Sequence, residues 1–200
     1  MFPGTREPAA APVSVIWMRS TTHELVGVSC ALGASRALEL DVLPGVALAA
    51  AAVCGSWLPD ADQLGARVHR RSRLERRSLL VGAAGALARL PLLAFALCTR
   101  HRGISHSLLA CAALTGLAVF ATVSLAPGFA LAGAGLTLGY VAHVLADACT
   151  PAGVGLWRPF AARRVHLLPA PARIPTGSAR EALVTASAGA LALVLALTLV

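Results

Sequence analysis

Apolar residues run through this chain in long blocks separated by short polar breaks. The first block, residues 22–38, predicts a short helix with Thr21 or Thr22 as its N-cap, since a hydroxyl there can accept from a first-turn N–H. A second helix is predicted over 43–58, where Pro44 suits a first turn. The strongest blocks are 107–126 and 129–149, divided by a tight turn at Pro127 and Gly128, and 182–200 is a last clean one. Residues 79–98 are also apolar but carry Arg89 and Pro91 in mid-run. Blocks of this kind approach the ~18–20 residues needed to cross a bilayer. The pattern therefore predicts an all-α, multi-pass transmembrane helical bundle, with about five spans plus one interfacial or re-entrant helix. No internal repeat is visible.

Composition supports that picture: 57% of residues are hydrophobic and the mean hydropathy is +0.74. Alanine, leucine, glycine and valine fill the blocks, which suits close helix packing in lipid. A chain of 200 residues with this many blocks leaves little room for a soluble unit, so residues 18–200 are read as a single membrane-embedded domain. Residues 1–17 lack the continuous apolar core of a signal peptide and are read as a disordered extension, with Met18 a candidate native start. The five cysteines, Cys30, Cys54, Cys98, Cys111 and Cys149, are scattered without CxxC spacing and read as packing residues.

The net charge of +8 is carried by arginine alone, with no lysine in the chain. Topology explains it more simply than nucleic acid, which is not expected as a partner. Arg19, the cluster from Arg67 to Arg77, Arg100, Arg102, Arg158, Arg163, Arg164, Arg173 and Arg180 all fall at one end of the predicted hairpins, and only Arg36 falls in the opposing loops. The positive-inside rule then puts that face, and the N-terminus, in the cytoplasm.

The ionisable groups are few enough to place one at a time. His23 opens the first predicted helix, Asp60 and Asp62 follow the second, His101 and His106 precede the 107–126 block, and His143 and Asp147 close the 129–149 block. In a bundle of membrane hairpins all of them meet at the same face. His143 and Asp147 are four apart, so they share a helix face and could share one ion. Ionisable groups inside an apolar span are costly and usually paired or functional, the alternative being that these two merely pair with each other. Asp60 and Asp62 can aim together if the chain is extended around Pro59, although a solvated turn would also explain them. His101 is placed in a loop before Gly103, and His106 in the first turn of the next helix with Ser105 as a candidate cap. His69 and His166, each beside arginines, are read as solvated.

Imidazole nitrogens and carboxylate oxygens together suit zinc first, with manganese as an alternative. A bound cation would lower the pKa of a water toward neutrality and polarise an ester or phosphoryl oxygen. The expected metal ligands are His23, Asp60, Asp62, His106, His143 and Asp147. His101 and Arg102 are the expected catalytic residues: Arg102 could clamp a phosphate, or it could be one more topology arginine. A shared site constrains residues 79–98, because a single crossing there would put Asp60 and Asp62 on the opposite side of the bilayer from His106 and His143. That block is therefore expected to lie along the interface or to dip and return.

The pieces "TTHELVG", "WLPDAD", "HRGISHSLLA" and "LGYVAHVLADACTPAGVGLWRPF" occur in an order that resembles the YdjM family of bacterial inner-membrane proteins, described as metal-dependent hydrolases. They cover most of residues 19–180 and include His23, Asp60, Asp62, His101, Arg102, Gly103, His106, Ser107, His143, Asp147, Thr150 and Pro151. The resemblance implies a multi-pass inner-membrane protein whose His and Asp residues bind metal. Gln63 stands where members of the family commonly carry a histidine, and the insertion between Asp62 and His101 is longer. The HxxxD spacing is also similar to that of zinc-dependent phospholipases C and nucleases, which favours a phosphoester substrate.

Three functions compete. The first is a membrane-bound metal-dependent hydrolase acting at the cytoplasmic face on a phosphoester or lipid, with membrane lipid as its surroundings. The alternative is a non-catalytic protein that binds or transports a metal ion. The third is a phosphohistidine lipid phosphatase, disfavoured because its signature needs a lysine and an Arg-Pro block ahead of the His helix, whereas here Arg158-Pro159 follows it.

Overall fold

Five α-helices carry the described part of the chain, which in this computed structural model comprises residues 18–62 and 103–199. They are α1 (Ser20–Ala37), α2 (Val42–Trp57), α3 (Leu108–Ser124), α4 (Phe129–Ala148) and α5 (Ala179–Leu197). Short 3-10 turns at Pro59–Asp62, Ile104–His106 and Ala170–Ala172 complete the regular structure, with one isolated antiparallel bridge between Val154 and Val165. Each predicted helix outside 79–98 is present. Three helical segments are long and apolar enough to cross a membrane, Val42–Ala61, Phe129–Ala148 and Ala179–Leu197, and α3 is a shorter apolar helix. The predicted interfacial or re-entrant helix at 79–98 lies outside the described residues.

Three local expectations need correcting. The first helix is capped by Arg19, whose side chain makes no cap hydrogen bond, and not by Thr21 or Thr22. The Thr22 hydroxyl is used inside the bundle, where it meets Glu181 Oε1 at 3.3 Å and Thr185 Oγ1 at 2.8 Å. Ser107, not Ser105, caps α3, accepting from Ala110 N at 3.2 Å, so His106 precedes the helix instead of riding in its first turn. The chain around Pro59 is a 3-10 turn and not extended.

Small residues set how closely the helices approach. A Cβ added at Gly139 would fall on the Ala52 carbonyl, and one at Gly55 on the Leu136 carbonyl, so α2 and α4 touch backbone to backbone. Gly135 meets Ala51 and the Leu48 carbonyl in the same seam. From α1, Gly27 would place a Cβ 3.5 Å from the Ala52 carbonyl and 3.6 Å from Gly139 Cα. Such approach is how helices gain dispersion contact in lipid, where tail–tail burial offers no net drive. α5 runs parallel to α1: Glu181 faces Thr22, Ser29 Oγ donates to the Ala188 carbonyl at 2.8 Å, and Leu195 reaches Gly33. α3 packs on α4 where Ala118 meets Gly133, and otherwise exposes Leu117, Phe120 and Val123, as a lipid-facing helix does.

Gly139→Ala should therefore destabilise the protein by roughly 1–3 kcal/mol through overpacking, read as a lower midpoint of thermal unfolding in detergent. Gly116→Ala, with no atom within 4 Å of the new methyl, should leave the midpoint unchanged or raise it.

Candidate metal centre

Gly135, Gly139, His143 and Asp147 follow one another at intervals of four and so form a single stripe along α4. The two glycines press that stripe against α2. One and two turns further on, the same stripe presents an imidazole and a carboxylate, both buried, at the end of the bundle. α1 repeats the device in shorter form, with Gly27 in the packed contact and His23 one turn away from it. The consequence is a stack of the His23 and His143 rings, with centroids 3.8 Å apart and planes inclined by 13°.

Two more elements complete the cluster. The 3-10 turn after α2 brings Asp60 Oδ1 to 3.6 Å from His143 Nε2, and the turn before α3 sets the His106 ring edge-on to His143 at 5.4 Å. Asp147 lies at the middle: Oδ1 is 3.4 Å from His23 Nε2, and Oδ2 is 3.3 Å from His106 Nε2 and 3.8 Å from His143 Nε2. Asp60 Oδ1 is also 4.0 Å from His106 Nε2. Two groups of potential ligand atoms result, His23–His143–Asp147 and Asp60–His106–His143, sharing His143, with the atoms of each group within 4.8 Å of one another.

The tautomer of His143 is fixed by its surroundings. Its Nδ1 lies 2.6 Å from the Ser56 carbonyl in the last turn of α2, an oxygen that can only accept. Nδ1 therefore carries the hydrogen and donates it, and in the neutral ring Nε2 presents its lone pair toward the Asp60 and Asp147 carboxylates. Among the described residues, Nε2 is buried without a hydrogen-bond partner. A lone pair facing carboxylates 3.6 and 3.8 Å away is an arrangement a cation satisfies, and a backbone carbonyl behind a histidine is the usual outer support of a metal ligand. The residues present thus fit a divalent ion by their donor chemistry and by this orphaned nitrogen.

The other imidazoles are braced as well. Ser105 Oγ is 3.0 Å from His106 Nδ1, and the Tyr140 hydroxyl donates to the Ser105 carbonyl. Tyr140 is the chain's single tyrosine, three residues before His143 on the same helix. The buried Glu181 of α5 accepts from the backbone N–H of Arg19 at 2.5 Å and of Gly177 at 2.5 Å, which pins the first turn of α1 and with it His23. Sequence reasoning missed all four supports, Ser56, Ser105, Tyr140 and Glu181. Tyr140 could have been found from its register with His143 and Asp147, but nothing in a sequence marks the Ser56 carbonyl.

Of the expected site residues, His23, Asp60, His106, His143 and Asp147 come together. Asp62 belongs to the same 3-10 turn as Asp60, while His101 and Arg102, together with His69 and Gln63, lie outside the described residues. His166 belongs to neither ligand group; its Nε2 is 3.1 Å from the Pro151 carbonyl in the loop after α4.

Fold and site together define an all-helical membrane protein with a buried His/Asp cluster that could hold a metal ion. The chain belongs to the YdjM inner membrane protein family, which matches residues 18–200. It is 36% identical over 150 residues to the inner membrane protein YdjM of Escherichia coli (strain K12), an alignment covering 71% of this chain and 66% of the relative. The same figures hold for the inner membrane protein YdjM of Shigella flexneri. The chain thus spans just under two thirds of the length of these relatives. No solved structure matches it. The chain is accordingly a multi-pass protein of the inner membrane.

Tyr140→Phe removes the hydroxyl that holds the His106 turn. It should cost about 1–2 kcal/mol of stability, in the range for a buried hydrogen bond, measured as a drop in thermal midpoint against wild type in the same detergent.

Proposed function

We propose that the protein is a membrane-embedded, metal-dependent hydrolase with its centre at the cytoplasmic face. The observation that carries the reading is the committed tautomer of His143, whose Nε2 faces two carboxylates across a space a cation suits. His23, Asp60, His106, His143 and Asp147 would hold one or two divalent ions, zinc before manganese, since the nitrogen-rich mixed set is of the kind zinc takes. When bound, such an ion supplies Lewis acidity toward an ester or phosphoryl oxygen and makes water a stronger acid.

The chain's own groups divide the remaining work. Asp60 is 25% exposed, whereas His106, His143 and Asp147 are sealed to within 1%, so Asp60 marks the side from which water and substrate reach the centre. As a ligand of the proposed centre, its carboxylate would hold the ion from that open side. His23 and His143, stacked and backed by packed helices, are held with little freedom, which keeps the donor set in one geometry. Arg102 and His101, close in sequence to His106, would meet the anionic part of a phosphoester or lipid substrate. The distribution of arginines supports the cytoplasmic orientation.

The competing reading, a carrier for the ion, is less well supported by where the cluster lies. Its members sit at the starts and ends of helices, at one end of the bundle, whereas transport sites lie near the bilayer midplane.

Metal analysis of purified wild type beside His106→Ala and His143→Ala tests the proposal. Wild type should carry near-stoichiometric metal and both variants should lose most of it; equal metal in all three would sink the shared centre. Across a panel of phosphoesters, wild type reconstituted with zinc should hydrolyse at least one, and His143→Ala should lose that activity by two orders of magnitude or more, since a ligand of the centre is gone. Metal uptake into vesicles with no hydrolysis would favour the carrier.

A further inference from the structure

The connection between α4 and α5, residues 149–178, contains Arg158, Arg163, Arg164, Arg173 and His166 but neither aspartate nor glutamate. It is not a loose loop. Leu167 N donates to the Ala148 carbonyl at 2.9 Å and Ile174 N to the Cys149 carbonyl at 3.0 Å, folding the segment back over the end of α4. Val154 and Val165 pair at 3.1 and 2.8 Å, and Leu108 N at the start of α3 donates to the Leu156 carbonyl at 2.9 Å. Arg164 spends part of its guanidinium on the Ala152 and Gly153 carbonyls, at 3.1 and 3.2 Å. Val154 is fully buried against Tyr140, Val144 and Ala148, so the segment shares the core beneath it.

This fixed segment forms an open cavity of about 500 Å³ lined by Trp157, Arg163, Arg164, His166 and Arg173, among others. The nearest acid along the chain on the far side, Glu181, is buried and already accepts from Arg19 and Gly177, so it does not neutralise the arginines. Arg163 is exposed and makes no hydrogen bond among the described residues. Beside the cavity, large apolar side chains stand in the open: Trp157 is 54% exposed, Phe160 85% and Leu167 52%.

Position decides what such a surface meets. A segment joining the ends of two membrane helices lies in the headgroup layer, where an exposed tryptophan finds its preferred depth and arginines meet phosphate. An acidic soluble partner would satisfy the charge but would leave Trp157, Phe160 and Leu167 without a reason to be exposed at that level. We propose that this cavity binds the phosphate of an anionic glycerophospholipid headgroup, with Arg163 and Arg173 as its charge partners and Trp157 at the boundary with the acyl chains. The site is separate from the His/Asp cluster and does not depend on the hydrolase reading.

The test uses the full chain in nanodiscs, with tryptophan fluorescence quenched by brominated phosphatidylglycerol or brominated phosphatidylcholine. Trp157→Phe, measured in parallel, isolates the signal of that residue from Trp17 and Trp57. The Trp157 signal should be quenched at severalfold lower mole fraction by the anionic lipid. Arg163→Gln should weaken that preference about fivefold, as expected for one arginine near an anionic surface, and Arg163→Gln with Arg173→Gln should abolish it. Arg163→Gln removes no hydrogen bond among the described residues, so its thermal midpoint should match wild type and its result does not hinge on folding. Equal quenching by both lipids in wild type, or a preference unchanged in Arg163→Gln, would overturn the assignment. Millimolar inorganic phosphate should leave the preference intact; its loss would assign the cavity to free phosphate and overturn the lipid source. Metal content, followed on the same samples, should be the same in Arg163→Gln as in wild type, so a failed metal centre and a failed lipid site give different results.

Discussion

Everything at the site end of the bundle depends on how close α2 and α4 are allowed to come. Gly139 lies against the Ala52 carbonyl and Gly55 against the Leu136 carbonyl, a separation that any side chain at either glycine would prevent. Because His143 is one turn beyond Gly139, that same approach delivers its Nδ1 to the Ser56 carbonyl at 2.6 Å. Helix packing and ring orientation are thus one event. The carbonyl concerned is among the last of α2, where helical carbonyls lack an intrahelical donor, so the histidine also meets a need of the helix terminus.

A cluster of three imidazoles and two carboxylates at the end of an apolar bundle is costly to assemble, since each group gives up water. What offsets the cost is mutual: Asp147 draws on His23 and His106 at 3.4 and 3.3 Å, and the rings stack or meet edge-on. Outer supports then remove the remaining freedom. Ser105 and Tyr140 brace His106, Ser56 braces His143, and Glu181 reaches across from α5 to fasten the turn that carries His23. Each support comes from a different helix or turn than the ligand it holds, except that Ser105 is next in sequence to His106.

The helices were legible because apolar block length is a strong signal in a membrane chain: 43–58 was expected and Val42–Trp57 is found, and 129–149 corresponds to Phe129–Ala148. The gathering of His23, Asp60, His106, His143 and Asp147 was legible for a simple reason. Hairpin topology sends the start of α1, the end of α2, the approach to α3 and the end of α4 to one face. Caps and turns were not legible, because they are settled by competition among partners distant in sequence. Thr22 looked like a cap but is drawn to Glu181, and the Ser105 hydroxyl pairs with His106 Nδ1 while Ser107 caps the helix. The extended geometry expected at Pro59 failed similarly, since α2 runs on through Leu58 into a 3-10 turn that carries Asp60 inward.

The clasp between Glu181 and the beginning of α1 joins residues 159 to 162 positions apart, nearly the two ends of the described chain. Translation delivers His23 well before Glu181, and domains begin to organise as they emerge. α1, α2, α3 and α4 can therefore enter the membrane and pack their glycine seam while the first turn of α1 still lacks its fastening. The arrival of α5 then adds the clasp on the turn that leads into His23. Synthesis thus withholds the fastening of His23 until α5 is in place, and a chain ended before Glu181 would carry all five clustered residues yet leave the turn before His23 without its clasp.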